Sequence, residues 1–204
     1  MIGLEHVFCP TRQKGAMRLF LSPRSAALSG MILLAAGSRL IPHPPNFTPI
    51  GAMALFGGAC FADRRIAFIV PLAAMLLSDL AIGLLSGDLS LGLHRLIPVV
   101  YGSFGLIVCL GFWLRKRRTV FPVAGAALAG SVLFFVLTNF GVWALGSWYP
   151  KTWEGLVACY VAAIPFFHNT LLGDAVYDTV LFGSFALAQY RFPVLREPAV
   201  LTTT

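Results

Sequence analysis

The chain has little charge for its length. Only 11% of its 204 residues are Asp, Glu, Lys or Arg, against about 25% in soluble domains. With 58% hydrophobic residues there is too little polar surface for a water-soluble fold, and a bilayer is the expected solvent. Chemical motifs are missing as well. The sequence has no GxSxG, no HExxH and no P-loop, so it carries none of the usual signatures for nucleophilic hydrolysis, zinc proteolysis or nucleotide hydrolysis. Its cysteines, Cys9, Cys60, Cys109 and Cys159, form no CxxC or other metal-ligand spacing. Three lie in or beside apolar runs, where a thiol packs as a small hydrophobe. There is no convincing internal repeat, which disfavours an inverted-repeat carrier, and no low-complexity segment beyond a short PHPP run. No cleavable signal peptide is evident; the first apolar run is expected to be a retained helix. The stretch before Met17 lacks periodicity, and Met17 followed by Arg18 makes an equally sensible start.

What the sequence does contain is a series of apolar runs. A helix needs about 20 residues, within a range of about 17–25, to cross the hydrocarbon core. The candidate spans are Ser25–Ile41, Thr48–Ala62, Arg65–Leu85, Arg95–Leu114, Val120–Leu145 and Phe166–Tyr190. The second is short: either a tilted helix or half of a re-entrant hairpin shielded by other helices. The run Trp153–Ile164 lies between Pro150 and Pro165 and is expected to form an interfacial helix or lid leading into the last span. The fold class is therefore an all-α polytopic bundle of about six transmembrane helices at residues 25–190. Tails at 1–24 and 191–204 flank it.

The net charge of +7 gives no case for nucleic-acid binding, because no polar domain is present to carry it. The basic residues instead mark topology. Arg12, Lys14, Arg18 and Arg24 precede the first span, Arg64 and Arg65 follow the second, Arg115–Arg118 follow the fourth, and Arg191 and Arg196 follow the sixth. That places 12 of 15 basic residues on one side, with Arg39, Arg95 and Lys151 on the other. The positive-inside bias then puts both termini in the cytoplasm, in a bacterial inner membrane. Trp148, Tyr149 and Trp153 fit an outer aromatic belt.

Ionisable groups inside a bilayer cost about 2.5–3.5 kcal/mol on insertion scales and so mark function or pairing. Asp79 falls about 21 Å into the third span at 1.5 Å per residue, in the outer third of the core. Asp174 and Asp178 are one helical turn apart and share a face. Arg39, His43, Asn46, Tyr101, Asn139, Trp143, His168 and Asn169 come from different segments but fall at a similar outer depth. Together with Asp79 and the deeper Asp174, they are the candidate lining of an outward-facing pocket. Each has a plainer alternative. Arg39 and Asp79 pair only to hold the bundle, Asn139 bonds between helices, His43 and His168 are loop or capping residues, and the tryptophans belong to the interfacial belt. Asp174 and Asp178 form either a proton-coupling or acid–base pair, or bond backbone groups in a polar crevice. Ala26 with Gly30, Gly57 beside Phe61, and Gly125 with Ala129 and Gly130 are candidate close-approach surfaces between helices.

Four stretches are familiar together: RLIPHPPNFTPIGAMALFGGACF at Arg39–Phe61, VPLAAMLLSDLAIG at Val70–Gly83, FFVLTNFGVWA at Phe134–Ala144 and YPKTWEGLVACYVAAIPFFHNTLLGD at Tyr149–Asp174. They resemble a bacterial family of multi-pass membrane proteins classed as a domain of unknown function, over about Arg39–Leu187. The strings PHPPNFTP and TNFGVW carry most of that likeness. A looser similarity joins Pro49–Gly58, the basic turn, Pro71–Gly83 and Gly173–Gly183 to the S-components of energy-coupling-factor vitamin importers. That resemblance implies six helices, cytoplasmic termini and an outward pocket for a vitamin or metal near Asn46, Asp79, Asn139, Trp143 and His168. In the cobalamin-binding branch a cysteine can approach the metal, which draws attention to Cys159.

The preferred function is binding and import of a small micronutrient, with membrane lipid as surroundings and separate energising subunits as partners, since nothing here hydrolyses ATP. No cofactor is identified by the pattern. The alternatives are a structural or assembly protein with a filled interior, and an intramembrane enzyme built from Asp79, His168, Asp174 or Asp178.

Overall fold

The computed structural model describes residues 22–88, 90 and 95–196. The basic residues Arg12, Lys14 and Arg18, the alternative start at Met17, and Cys9 lie outside them. Within the described residues the chain is all helical, in six long elements: α1 Pro23–Gly37, α2 Ile50–Cys60, α3 Arg64–Ser86, α4 Ile97–Leu114, α5 Val120–Leu145 and α6 Trp153–Arg191. Single 3-10 turns at Ser38–Leu40 and Pro193–Leu195 extend the first and last.

Local chemistry sets the boundaries. Ser22 caps α1 by accepting from the Ser25 backbone N–H at 3.1 Å, with Pro23 at the first helical position. Asp63 caps α3, its Oδ1 accepting from the Arg65 and Ile66 N–H groups at 2.6 and 3.1 Å. Gly87 ends that helix at φ 71, a left-handed conformation that suits glycine. Thr152 caps α6 through the Gly155 N–H at 3.3 Å.

Four helices, α3 to α6, are long and apolar enough to cross a membrane, and large apolar side chains such as Leu77, Leu85, Phe121 and Leu187 cover the outside of the bundle. The protein is a multi-pass membrane protein in a lipid environment. The expected first span forms only the 15-residue α1, and the second is shorter still. Its helical part, α2, has 11 residues and rises about 16 Å, roughly half the hydrocarbon core. Ten of its residues are buried, and it packs against all five other long helices. It is the axis of the bundle. The chain before it, from Ile41 to Pro49, is non-helical. This segment lies along α6: Asn169 donates to the Pro45 carbonyl at 2.9 Å, and Gly173 packs against Phe47 and Thr48. Residues 41–46 are exposed, and only Phe47 to Pro49, where the chain enters α2, are covered by the bundle.

The close packing of α2 depends on missing side chains. A Cβ on Gly58 would lie 2.2 Å from the Val108 carbonyl oxygen, and one on Gly111 would lie 2.5 Å from that of Leu55. Gly57 accommodates Pro71 of α3, whose Cγ would be 2.5 Å from an added Cβ. Of the small-residue surfaces expected from sequence, Gly57 is therefore a true close approach. A Cβ added at Gly30 or Gly125 would meet nothing within 4 Å, and one at Gly130 would meet Ile107 only at ordinary van der Waals distance, 3.6 Å.

The expected boundary at Pro165 is absent. Trp153–Ile164 leads into the last span as the first third of one continuous helix, α6, which runs 39 residues through Pro165. Proline removes one backbone hydrogen bond, at the Val161 carbonyl, but ending the helix in an apolar setting would expose several polar groups at once. Pro71 is carried within α3 in the same way.

The ends of several helices meet through basic side chains. Arg24 donates to the carbonyls of Leu195 at 2.7 Å and Cys60 at 3.1 Å. Arg115 donates to Gly58 O at 3.1 Å and Ala62 O at 3.2 Å, and both Arg64 and Arg115 lie over the Phe112 ring. The start of α1, the end of α2, the start of α3, the end of α4 and the chain after α6 thus share one end of the bundle, the basic end.

Candidate functional site

At mid-bundle, the N-terminus of α2 opens onto a cavity of about 250 Å³. Its polar wall is assembled from three elements. Arg39, on the turn after α1, reaches Asp79 of α3, with Nη1 2.6 Å from Oδ1. Tyr101 of α4 donates its hydroxyl to the other oxygen of Asp79 at 2.8 Å. Arg39 also donates to the Ser78 hydroxyl and, at 3.5 Å, to the Met75 carbonyl. The side chains of Arg39 and Asp79 are 12% and 7% exposed. A pair with so little exposed surface is held by its extra hydrogen bonds as much as by its charges, because desolvation offsets much of the Coulomb gain.

The opposite side is formed by Asp174 of α6. Ser131 of α5 donates to its Oδ2 at 2.6 Å. Its carboxylate lies against the first turn of α2: a Cβ on Gly51 would be 2.4 Å from Oδ1. Glycine at this position lets a carboxylate reach the positive end of the α2 dipole. Between the two polar sides, Phe104 and Phe134 make a flat wall, their rings stacked at 4.9 Å and 24°. Thr48, Thr170 and Asn46 complete the rim. Asn46 has φ 64 and follows Pro45 in a turn closed by the Phe47 N–H donating to Pro44 O at 3.1 Å. Proline then a left-handed residue is the pattern of a type II turn, and asparagine tolerates that conformation better than other non-glycine residues.

Arg39, Asn46, Asp79, Tyr101 and Asp174 thus line one cavity. The other five sequence candidates lie elsewhere. His43 is exposed in the loop, its Nδ1 2.7 Å from Ile41 O. Asn139 donates to Phe135 O of its own helix at 2.8 Å, rather than across to a neighbour. Trp143 donates to Pro150 O at 2.9 Å under the Lys151 ammonium, closing the α5–α6 turn. His168 is exposed on α6. Asn169 pins the Pro45 segment and so supports the rim from behind. Cys159 is buried, its Sγ donating to Asn139 O at 3.5 Å, away from the cavity lining.

Sequence inspection missed Phe104, Phe134, Thr48, Thr170 and Ser131. Only Thr170 carried a signal, since it sits four residues before Asp174 on the same α6 face. Phenylalanines in a chain this apolar give no sign of facing a cavity.

A protein-family model for a family of unknown function, DUF6580, matches residues 20–195. The chain belongs to the DUF6580 family. That match takes in all six long helices and every cavity-lining side chain of this DUF6580 protein. No curated protein and no solved structure matches it. Among its described residues there is no group of three or more His, Cys, Asp or Glu side chains placed to hold a metal ion. Of the acid–base groups singled out from sequence, Asp79 and Asp174 both line the cavity, Asp79 engaged by Arg39 and Tyr101 and Asp174 by Ser131, whereas Asp178 does not line it and His168 is exposed.

Proposed function

We propose that this protein binds a small micronutrient of the vitamin class in the Arg39–Asp79–Tyr101 cavity and serves as the substrate-binding subunit of an importer. The cavity itself carries the proposal. A purely structural bundle would pair its buried polar groups and fill the remaining space, whereas here about 250 Å³ is left beside the paired groups. The lining suits a particular chemistry. A stacked aromatic wall favours a flat ring, and a guanidinium, a phenol hydroxyl and side-chain oxygens at the edges favour polar substituents. The volume falls just below the usual 300–1,000 Å³ of drug-sized sites, which suits a single-ring compound and not one the size of cobalamin.

In this reading the basic end faces the cytoplasm with both chain termini, following the positive-inside bias, and the cavity opens outward in a bacterial inner membrane. The resemblance to vitamin-importer S-components supports the same arrangement by analogy of architecture. Energising subunits would come from other chains, since this one has no P-loop.

The test is native mass spectrometry of the detergent-purified protein, with thermal-shift measurements against a panel of vitamins and their ring precursors. A retained or stabilising single-ring compound is expected, with its effect lost in Phe134→Ala and weakened in Tyr101→Phe. If no compound is retained and none shifts the melting temperature, the cavity is a packing defect and the structural alternative stands.

A further inference from the structure

A second cavity of about 520 Å³ runs between α5 and α6. Its walls are apolar, formed by Val120, Val123, Leu128 and Phe182, and Arg118 lies at its basic end. Deep in it is Asp178, 4% exposed, with neither carboxylate oxygen hydrogen-bonded among the described residues. The other buried acids of the bundle are satisfied: Asp79 by Arg39 and Tyr101, Asp174 by Ser131. An ionised carboxylate in such a place would be costly without a partner.

We propose that Asp178 is a proton-binding site, loaded and unloaded through the α5–α6 crevice. The charged and titratable groups around it are few. Asp174 is one turn away on α6, and Arg118 lines the crevice near its mouth. Tyr177, the preceding residue, is turned to Ser38, with the two hydroxyls 2.9 Å apart. From α2 and α4 the neighbouring residues are Gly51, Leu55 and Ile107, and from α5 Val123, Ala126, Ala127, Gly130 and Ser131, none of them ionisable. A hard metal cation would want six or more oxygen ligands. Here the donors are two carboxylates and one hydroxyl already bonded to Asp174, and among the described residues no group of three or more His, Cys, Asp or Glu could hold a metal. A proton needs one oxygen and no space. It enters from water at the crevice mouth, forms an O–H bond on the carboxylate, and leaves by the same route.

Asp174 lines both this crevice and the outer cavity, so the proton sits one helical turn behind the cavity's acidic side. The inference does not depend on the outer cavity binding a nutrient.

The experiment is infrared spectroscopy of the purified full-length protein across a pH titration, following the carbonyl stretch of protonated carboxylic acids. The expected result is a band at neutral pH that moves on heavy-carbon labelling of aspartate carboxyls, disappears in Asp178→Asn, and survives in Asp174→Asn. Asn is the neutral isostere of a protonated Asp, so Asp178→Asn should melt within a few degrees of the wild type. The label assigns the band to aspartate even if a variant misfolds. Absence of a labelled band in the wild type, or its persistence in folded Asp178→Asn, overturns the proposal. So does a melting temperature raised by sodium, relative to choline, in the wild type but not in Asp178→Asn, which would make this a sodium site. For the route, Ala124→Trp at the crevice wall should slow the shift of the band in heavy water several-fold; an unchanged rate excludes entry through the crevice.

Discussion

Substituting Gly58 by alanine tests the central packing of the bundle directly. The added Cβ would sit 2.2 Å from Val108 O, 3.0 Å from Gly111 Cα and 3.1 Å from Val108 C. All three are backbone atoms, so no side-chain rotation relieves the clash. Ordinary contact begins near 3.4 Å, and α2 must therefore move away from α4 by about 1 Å. Overpacking of this kind costs about 1–3 kcal/mol, and more where the surroundings are rigid. Since α2 touches every other long helix, the upper part of that range is expected, about 2–3 kcal/mol after a helix-propensity gain of somewhat under 1 kcal/mol. For a chain of this size that corresponds to a fall of roughly 4–12 °C in Tm. The matched control is Gly30→Ala, where a Cβ meets nothing within 4 Å, and a small stabilisation is expected. The assay is thermal unfolding in a mild detergent, with both variants and the wild type at equal concentration. Gly111→Ala relieves into the same gap, its Cβ lying 2.9 Å from Gly58 Cα, so the double variant should lose less than the sum of the two single losses. If Gly58→Ala melts with Gly30→Ala, the close crossing of α2 and α4 is wrong.

The Arg39–Asp79 pair gives a second test. Either Arg39→Met or Asp79→Leu should cost about 3–5 kcal/mol by leaving one buried charge without its partner, whereas the two combined should recover most of the loss in a double-mutant cycle. Single losses no larger than the double loss would show that the pair is not buried as described. At the Pro44–Phe47 turn, Asn46→Gly should leave stability within a few tenths of a kcal/mol and Asn46→Val should cost about 1–2 kcal/mol, because φ 64 is penalised for a β-branched side chain. Chemical unfolding of both variants checks this, and equal stability would remove the left-handed assignment.

Much of the architecture was determined by the sequence alone. A bilayer leaves helices as the way to satisfy the backbone of an apolar run, so four of the six expected spans appear as helices long and apolar enough to cross, α6 starting well before its expected bound, while those at Ser25–Ile41 and Thr48–Ala62 form shorter helices of 15 and 11 residues. Burial cost singled out Arg39, Asp79, Asp174 and Asp178, and all four are inside the bundle or nearly so. Other features were decided only by tertiary structure. That α2 is the axis, and not one more peripheral span, follows from Gly58 and Gly111 letting two backbones touch, and either glycine alone looks like many others in the chain. That Pro165 lies within a helix follows from the cost of exposing backbone groups, which outweighs one lost hydrogen bond. Depth alone could not separate Tyr101, which faces the cavity, from Asn139 and Trp143, which bond within their own helix and turn. In water, polarity tells the inside of a helix from its outside. In lipid, Phe134 against the cavity and Phe140 against the acyl chains are the same residue type, so the face each presents is set by the neighbouring helices.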